Sequence, residues 1–142
     1  MTDEFTTPDL VELTRLRYEI MDRDLGFDAI AAFYLPDAVM DLSHSGGGRH
    51  EGVDAIGAAL IDYWGTWEEH HHYVEEILDL GHGVVFSSLR EDGRVRGSDS
   101  FVEGRSAWVT EWVDGKVARA TGYGADIDEA RAAAERLAES SG

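Results

Sequence analysis

Three consecutive histidines, His70-His71-His72, open a stretch to Leu80 that reads as a β-strand. Alternate side chains on a strand project to opposite faces, so His70 and His72 share one face while His71 joins Tyr73 on the other. Two imidazoles on one face can pass protons near neutral pH, because an ordinary imidazole titrates at ~6.5. Their spacing also suits a pair of metal ligands, with Asp41 or Glu76 as a carboxylate third. Nothing in the sequence fixes that third ligand, so no metal is expected. The structural alternatives are a satisfied pair of half-buried histidines or a chance polar run on a rim. Tyr18 offers different chemistry: a phenol of pKa ~10 is a neutral donor to an oxyanion in a dry pocket. A tyrosine on a helix can equally line a core. Asp41 is a candidate general base. At a strand end before Ser45-Gly46-Gly47-Gly48 it can also cap a turn. His44 and His50 flank that glycine run, which could act as a lid. It lacks the spacing and the following Lys-Ser/Thr of a phosphate-binding loop.

A second group of residues has the character of a binding wall. Ser106, Trp108, Thr110 and Trp112 fall on one face of a long strand, with Arg105, Ala107, Val109 and Glu111 on the other. Together with Tyr63, Trp64 and Phe86, the first set could form an aromatic surface for a flat hydrophobic ligand. The same residues would serve as ordinary core or dimer-face packing. Ala120, Gly122 and Gly124 are small at alternate positions, and on a cavity side they would leave room for a ligand. Arg90, Arg94 and Arg96 form a basic cluster that fits a solvated hairpin or an ion-pair surface between subunits.

The elements that must position these groups begin with a helix capped at Thr7, with Pro8 in its first turn, and ended by Gly26. Leu10, Leu13, Arg17 and Ile20 form its stripe, widened by Leu16 and Met21. A short helix follows over 27–34, with Ile30, Phe33 and Tyr34 buried and Pro36-Asp37 as its stop. A strand at 38–43 sets Val39 and Asp41 against Met40 and Leu42. A third helix starts near Gly52 on Val53, Ile56, Leu60 and Tyr63. Strands are expected at 70–80, 84–90, 101–113 and 117–123. Asp92-Gly93 and Asp114-Gly115 are the two strongest hairpin turns. A last helix over 126–138 carries Ile127, Ala130, Ala134 and Leu137. Helices first and antiparallel strands afterwards make an α+β fold, a curved antiparallel sheet forming an open cone packed with N-terminal helices. A single domain over 1–142 is expected, frayed at 1–6 and 139–142.

Composition narrows the partners. The chain has 142 residues, with 12 Lys+Arg against 29 Asp+Glu and a formal charge of −17. So acidic a protein is not expected to bind nucleic acid or an anionic membrane. A hydrophobic content of 43% is that of a globular fold rather than of an acidic disordered chain. With no cysteine there is no thiol nucleophile, disulfide or thiolate metal site. Neither a secretory leader nor a bilayer-length apolar run is visible, and a cytoplasmic protein that handles a hydrophobic small molecule is expected.

Several segments carry a family likeness: Phe27-Asp28-Ala29-Ile30 through Phe33-Tyr34, then Pro36-Asp37-Ala38-Val39, Glu51-Gly52 with Ala55-Ile56, Trp67-Glu68-Glu69 with Val74-Glu75-Glu76, and Asp114-Gly115-Lys116-Val117. Over nearly its whole length the chain resembles the SnoaL-like branch of the nuclear-transport-factor-2-like superfamily, the polyketide cyclase and ketosteroid isomerase relatives. The resemblance implies a cone with a pocket at its wide end and, for many members, a homodimer through the convex sheet face. It spans isomerases, dehydratases, cyclases, epoxide hydrolases and non-enzymatic binding modules. It puts Tyr18, with the preceding Arg17, where the ketosteroid isomerases carry their oxyanion donor. Their general base falls on Leu42 by ungapped counting, so Asp41 would need a bulge to turn inward. Their third group, a protonated acid, falls on Trp108. The Arg-x-Asp motif of limonene-epoxide hydrolases is absent, and that family's second aspartate falls on Gly122. The expectation is a cofactor-independent acid–base isomerase, cyclase or dehydratase for a hydrophobic cyclic or aromatic ketone. Tyr18, Asp41, His70 and His72 would be its catalytic residues, and Tyr63, Phe86, Trp108, Thr110 and Trp112 its substrate wall. The alternative is a non-catalytic ligand-binding or dimerisation domain of the same fold.

Overall fold

The computed structural model describes residues 9–22 and 27–141. The helix start expected at Thr7 and Pro8 and the stop expected at Gly26 lie outside the described residues. Helix α1 (Leu10–Asp22) buries Leu10, Thr14, Arg17 and Tyr18, which recur at the three- and four-residue steps of one helix face. Leu16, expected to widen that stripe, is exposed. Helix α2 (Phe27–Ala31) is shorter than its expected span to Tyr34. Tyr34 instead opens strand β1 (Tyr34–Asp41) and stands opposite Val117 of β6 (Lys116–Gly122). Pro36 therefore sits inside a strand rather than ending a helix. The β1–β6 register slips between Tyr34 and Val39, and a residue without an N–H is tolerated at such an irregularity.

The glycine run after β1 is tightly folded. A 3-10 turn at Ser43–Ser45 leads into β2 (Arg49–Glu51), with Leu42 N–H bonded to the Gly48 carbonyl at 2.7 Å and Gly47 N–H to the Leu42 carbonyl at 2.9 Å. Helix α3 (Val53–Gly65) follows and buries Ile56 and Leu60. Three long strands come next: β3 (Trp67–Asp79), β4 (Val84–Val95) and β5 (Phe101–Val113). The sheet order is β2-β1-β6-β5-β4-β3, antiparallel at every pairing except β1 with β6.

Both faces of the sheet are covered in part. On the concave side, Ile30, Ile56 and Leu60 from the helices pack with Met40, Val85, Trp112 and Val117. On the convex side, helix α4 (Ile127–Ser141) lays Ala130 and Ala134 on Phe86, Ala107 and Val109. Alanines let the helix approach the strands closely while burying little area per residue. The structure is thus the expected α+β cone. Among the described residues no helix is long and apolar enough to cross a membrane.

The two expected hairpin turns part ways. Asp114 and Gly115 have φ of 53° and 79°, the pair of positive values that a two-residue type I′ turn requires, and they join β5 to β6. Asp92-Gly93 makes no turn. It lies inside β4, with Asp92 opposite His71 and Gly93 opposite His70, and the chain reverses only beyond Val95. Glycine is needed there for a different reason: a methyl group on Gly93 would lie 2.1 Å from the Glu69 carbonyl oxygen. The register of β3 on β4 shifts beside this point, between Trp67 and Glu69. Gly93→Ala must therefore push β3 away from β4 at the level of His70. A loss of about 1–3 kcal/mol is expected in a denaturant titration, and unchanged stability would contradict the close approach.

Candidate functional site

The cone encloses a cavity of about 420 Å³. Strand alternation decides its walls. On β4, Ser87, Leu89 and Glu91 share the parity that faces inward, and their partners across β5 are Trp108, Ser106 and Gly104. Gly122 on β6 lies beneath the Trp108 ring, where a methyl group would stand 3.1 Å from two ring carbons and from Leu42. The small residue thus seats the indole against the sheet. Met40, Leu60 and Trp64 complete an apolar lining with few polar groups, the character of a small-molecule pocket.

The polar groups form two clusters. In the first, His72 on β3 is directly opposite Glu91 on β4, and His70 reaches the same carboxylate along the diagonal. His70 Nε2 donates to Glu91 Oε1 at 3.0 Å, and His72 Nε2 is 3.7 Å from that oxygen. Tyr63 Oη donates to it at 3.3 Å from α3. The His70 ring is tilted on Trp67 at 4.5 Å between centroids and meets His72 edge-on at 4.4 Å. Burial would raise the Glu91 pKa, but the His70 hydrogen bond, with Ser106 and then His72 adding to it, outweighs it and holds the carboxyl below its ordinary range. Burial pushes the Tyr63 phenol up, and the nearby Glu91 charge pushes it further, so Tyr63 stays a neutral donor. One ligand atom from each of His70, His72 and Glu91 lies within 4.8 Å of the others, so the same set could hold a divalent cation that accepts nitrogen and oxygen.

The second cluster lies on α1. Tyr18 is 4% exposed and shares a 2.8 Å hydrogen bond with Ser87 Oγ. Burial raises its pKa, against the lowering effect of Arg17, so it too is a neutral phenol at ordinary pH. Arg17, 3% exposed, donates to Tyr34 Oη at 2.8 Å and lies over the Tyr18 ring at 5.0 Å. Arg17, Tyr18 and Tyr34 border the cavity.

Of the candidate catalytic and substrate-wall residues, Tyr18, His72, Tyr63 and Trp108 border this cavity, as does Trp64, and His70 joins it through Glu91. Asp41 does not. Val39, Met40 and Asp41 pair with β6 in unbroken register, so no bulge turns Asp41 inward to the side of Met40. It faces an outer recess near α4, bonded to the Ser43 hydroxyl and N–H at 2.6 and 3.0 Å and to Arg119 at 2.9 Å. The Ser43 contacts first, with Arg119 behind them, hold its carboxyl low. Glu76 is likewise outside, bonded to Arg131 of α4 at 2.7 Å.

Phe86 is on the convex face beneath α4, with Arg131 over its ring at 4.6 Å. Across an antiparallel pair, opposite residues share a face, and Trp108 stands opposite Ser87, so Phe86 falls on the other side. Thr110 and Trp112 are fully packed below the cavity, where Trp112 Nε1 donates to Thr110 Oγ1 at 3.0 Å. Arg90, Arg94 and Arg96 pair within the chain, with Asp92 and Glu103, with Glu69 and with Glu68. Glu91 was not singled out in the sequence. A turn at Asp92-Gly93 would have placed it on a solvated shoulder, and only a strand continuing to Val95 sets it against His72.

No protein-family profile matches the chain, and no curated protein sequence does. Solved structures do match. A nuclear-transport-factor-2-like protein of unknown function from Burkholderia pseudomallei superposes with a TM-score of 0.73 at 15% identity, covering 87% of this chain and 95% of that one. A protein from Catenulispora acidiphila with a ketosteroid isomerase-like fold, in complex with trimethylamine, gives 0.70 at 14% identity over 83% and 86%. TerC co-crystallised with polyporic acid gives 0.69 at 16% identity over 91% and 97%. At such identities the likeness establishes the fold and not a particular family within it: the chain has the nuclear-transport-factor-2-like cone fold.

Proposed function

We propose that the chain is a cofactor-independent acid–base enzyme that binds a hydrophobic cyclic or aromatic ketone in the cone and isomerises, cyclises or dehydrates it. The observation that carries this reading is the convergence of Tyr18, His72 and Glu91 on one apolar cavity. The three reaction types share a step, removal of a proton next to a carbonyl. The His72 imidazole takes the proton, and Glu91 across the sheet orients it and stabilises its cationic form. The electron pair moves to the carbonyl oxygen, and the Tyr18 phenol donates a hydrogen bond to the resulting enolate. Trp108 and Trp64 present flat apolar surface for the ring of the substrate. The ketosteroid isomerase-like fold of the Catenulispora protein and the co-crystallisation of TerC with polyporic acid support a small-molecule role.

A second reading, a ligand-binding domain without turnover, is favoured by Asp41, which lies outside the cavity and serves as a turn cap. We also propose the homodimer that the resemblance implies, supported by the exposed Tyr73 on β3 and Phe101 on β5, the strands on either side of β4. Light scattering behind size exclusion should read twice the chain mass, and a monomer at micromolar concentration would oppose it.

Deuterium exchange at the α-carbon of 2-tetralone, followed by NMR, isolates the proton-removal step. His72→Ala should slow it by about 10²–10⁴-fold. Tyr18→Phe should slow it by about 10²–10³-fold, while Asp41→Asn leaves it unchanged. Binding without exchange in the native chain would favour the second reading.

Glu91 adds a pH signature. Its folded-state pKa is depressed, so its contribution to stability is present above the unfolded value of ~4.3 and is lost as pH falls through the folded value. Glu91→Gln should flatten that acid limb of the stability curve and lower the exchange rate at neutral pH. An acid limb equal to that of the native chain would show that the His70–Glu91 contact does not form.

A further inference from the structure

Arg17 is an anomaly in so acidic a protein. The chain carries 29 acidic residues, yet no described carboxylate forms an ion pair with this guanidinium. Its one hydrogen bond among the described residues goes from Nη1 to Tyr34 Oη, and its Nε is buried with no partner. A guanidinium cannot shed its proton at any ordinary pH, so the charge remains in the wall of the cavity. Contacts with the rings of Tyr18 and Tyr34, at 5.0 and 5.8 Å, soften the cost of burying it without neutralising it. Other cations near the sheet are matched: Arg105 with Glu75 at 2.8 Å, Arg119 with Asp41 at 2.9 Å and Arg131 with Glu76 at 2.7 Å. Glu91, the carboxylate of the cavity, is engaged by His70 and Tyr63.

We infer that the missing counter-charge is supplied by the ligand, and that the cavity takes a planar cyclic or aromatic anion whose carboxylate or enolate sits on Arg17. The inference rests on the proposed function and names its substrate class: the ring ketone is also an acid. An anionic group held at Arg17 beside Tyr18 places the ring against Trp108 and directs its far edge toward His72 and Glu91. The formal charge of −17 repels anions at long range, so any preference for an anion must arise locally.

The test titrates the full chain with 2-naphthoate and with its neutral isostere 2-acetonaphthone, followed by tryptophan fluorescence and calorimetry. The native chain should bind the carboxylate about ten- to a hundredfold more tightly. Arg17→Gln should bring the two to parity, and Arg17→Lys should restore part of the preference. The native ratio is decisive even where a variant fails to fold. Equal or tighter binding of the ketone by the native chain overturns the anion site and leaves the acid–base reading standing. A carboxylate preference that survives in folded Arg17→Gln also overturns it. Binding of neither probe overturns both readings.

Discussion

Between β3 and β4 a side chain at Gly93 would run into the Glu69 carbonyl, and the pairing that this glycine permits sets His72 opposite Glu91. The two strands are 13 and 12 residues long and remain paired almost end to end. A strand pair of that length must twist and bend, and the bulges at either side of the histidines accommodate the bend. The site depends on this geometry twice. It draws His70, His72, Glu91 and Tyr63 into one cluster, and it raises the wall that closes the cavity over α1.

The distribution of charge follows from the same cone. Outside, arginines meet acids in exposed or half-exposed pairs, each worth little to stability. Their value is in keeping so acidic a surface from repelling itself at particular strand pairs. Inside, the balance is different. The carboxylate of Glu91 is surrounded by donors, whereas the guanidinium of Arg17 has phenols for company and no anion among the described residues. Among the described residues the cavity thus carries one satisfied negative group and one positive group without a carboxylate partner, and is polarised between them. That polarity suits a reaction in which negative charge develops on an oxygen at one end and a proton is taken up at the other.

Much of the local structure was legible residue by residue. Asp114-Gly115 demanded a type I′ turn, the face split of His70 and His72 from His71 followed from strand period, and Val39 and Asp41 fell on the same side as counted. Where expectation failed, a long-range pairing overruled a local preference. Tyr34 and Pro36 went into a strand because β6 lay alongside to pair with β1. Asp92-Gly93 stayed extended because β3 and β5 flank β4 on both sides and satisfy its backbone groups there. Phe86 missed the aromatic wall by one residue, since parity on β4 is set by its register with Trp108 and not by its own sequence.

The sequence by itself determined the α+β order, the open-cone class and the kinds of chemical group available, since periodicity, turn residues and residue type are local properties. Register decided the rest. Which carboxylate meets the histidines, and that it is Glu91 rather than Asp41 or Glu76, depends on how strands distant in the chain align. That Arg17 is enclosed without a carboxylate partner among the described residues depends on what the fold brings around α1 and what it leaves on the outer surface. A sliding of one residue between two strands would exchange the faces, and no single stretch of sequence carries that information.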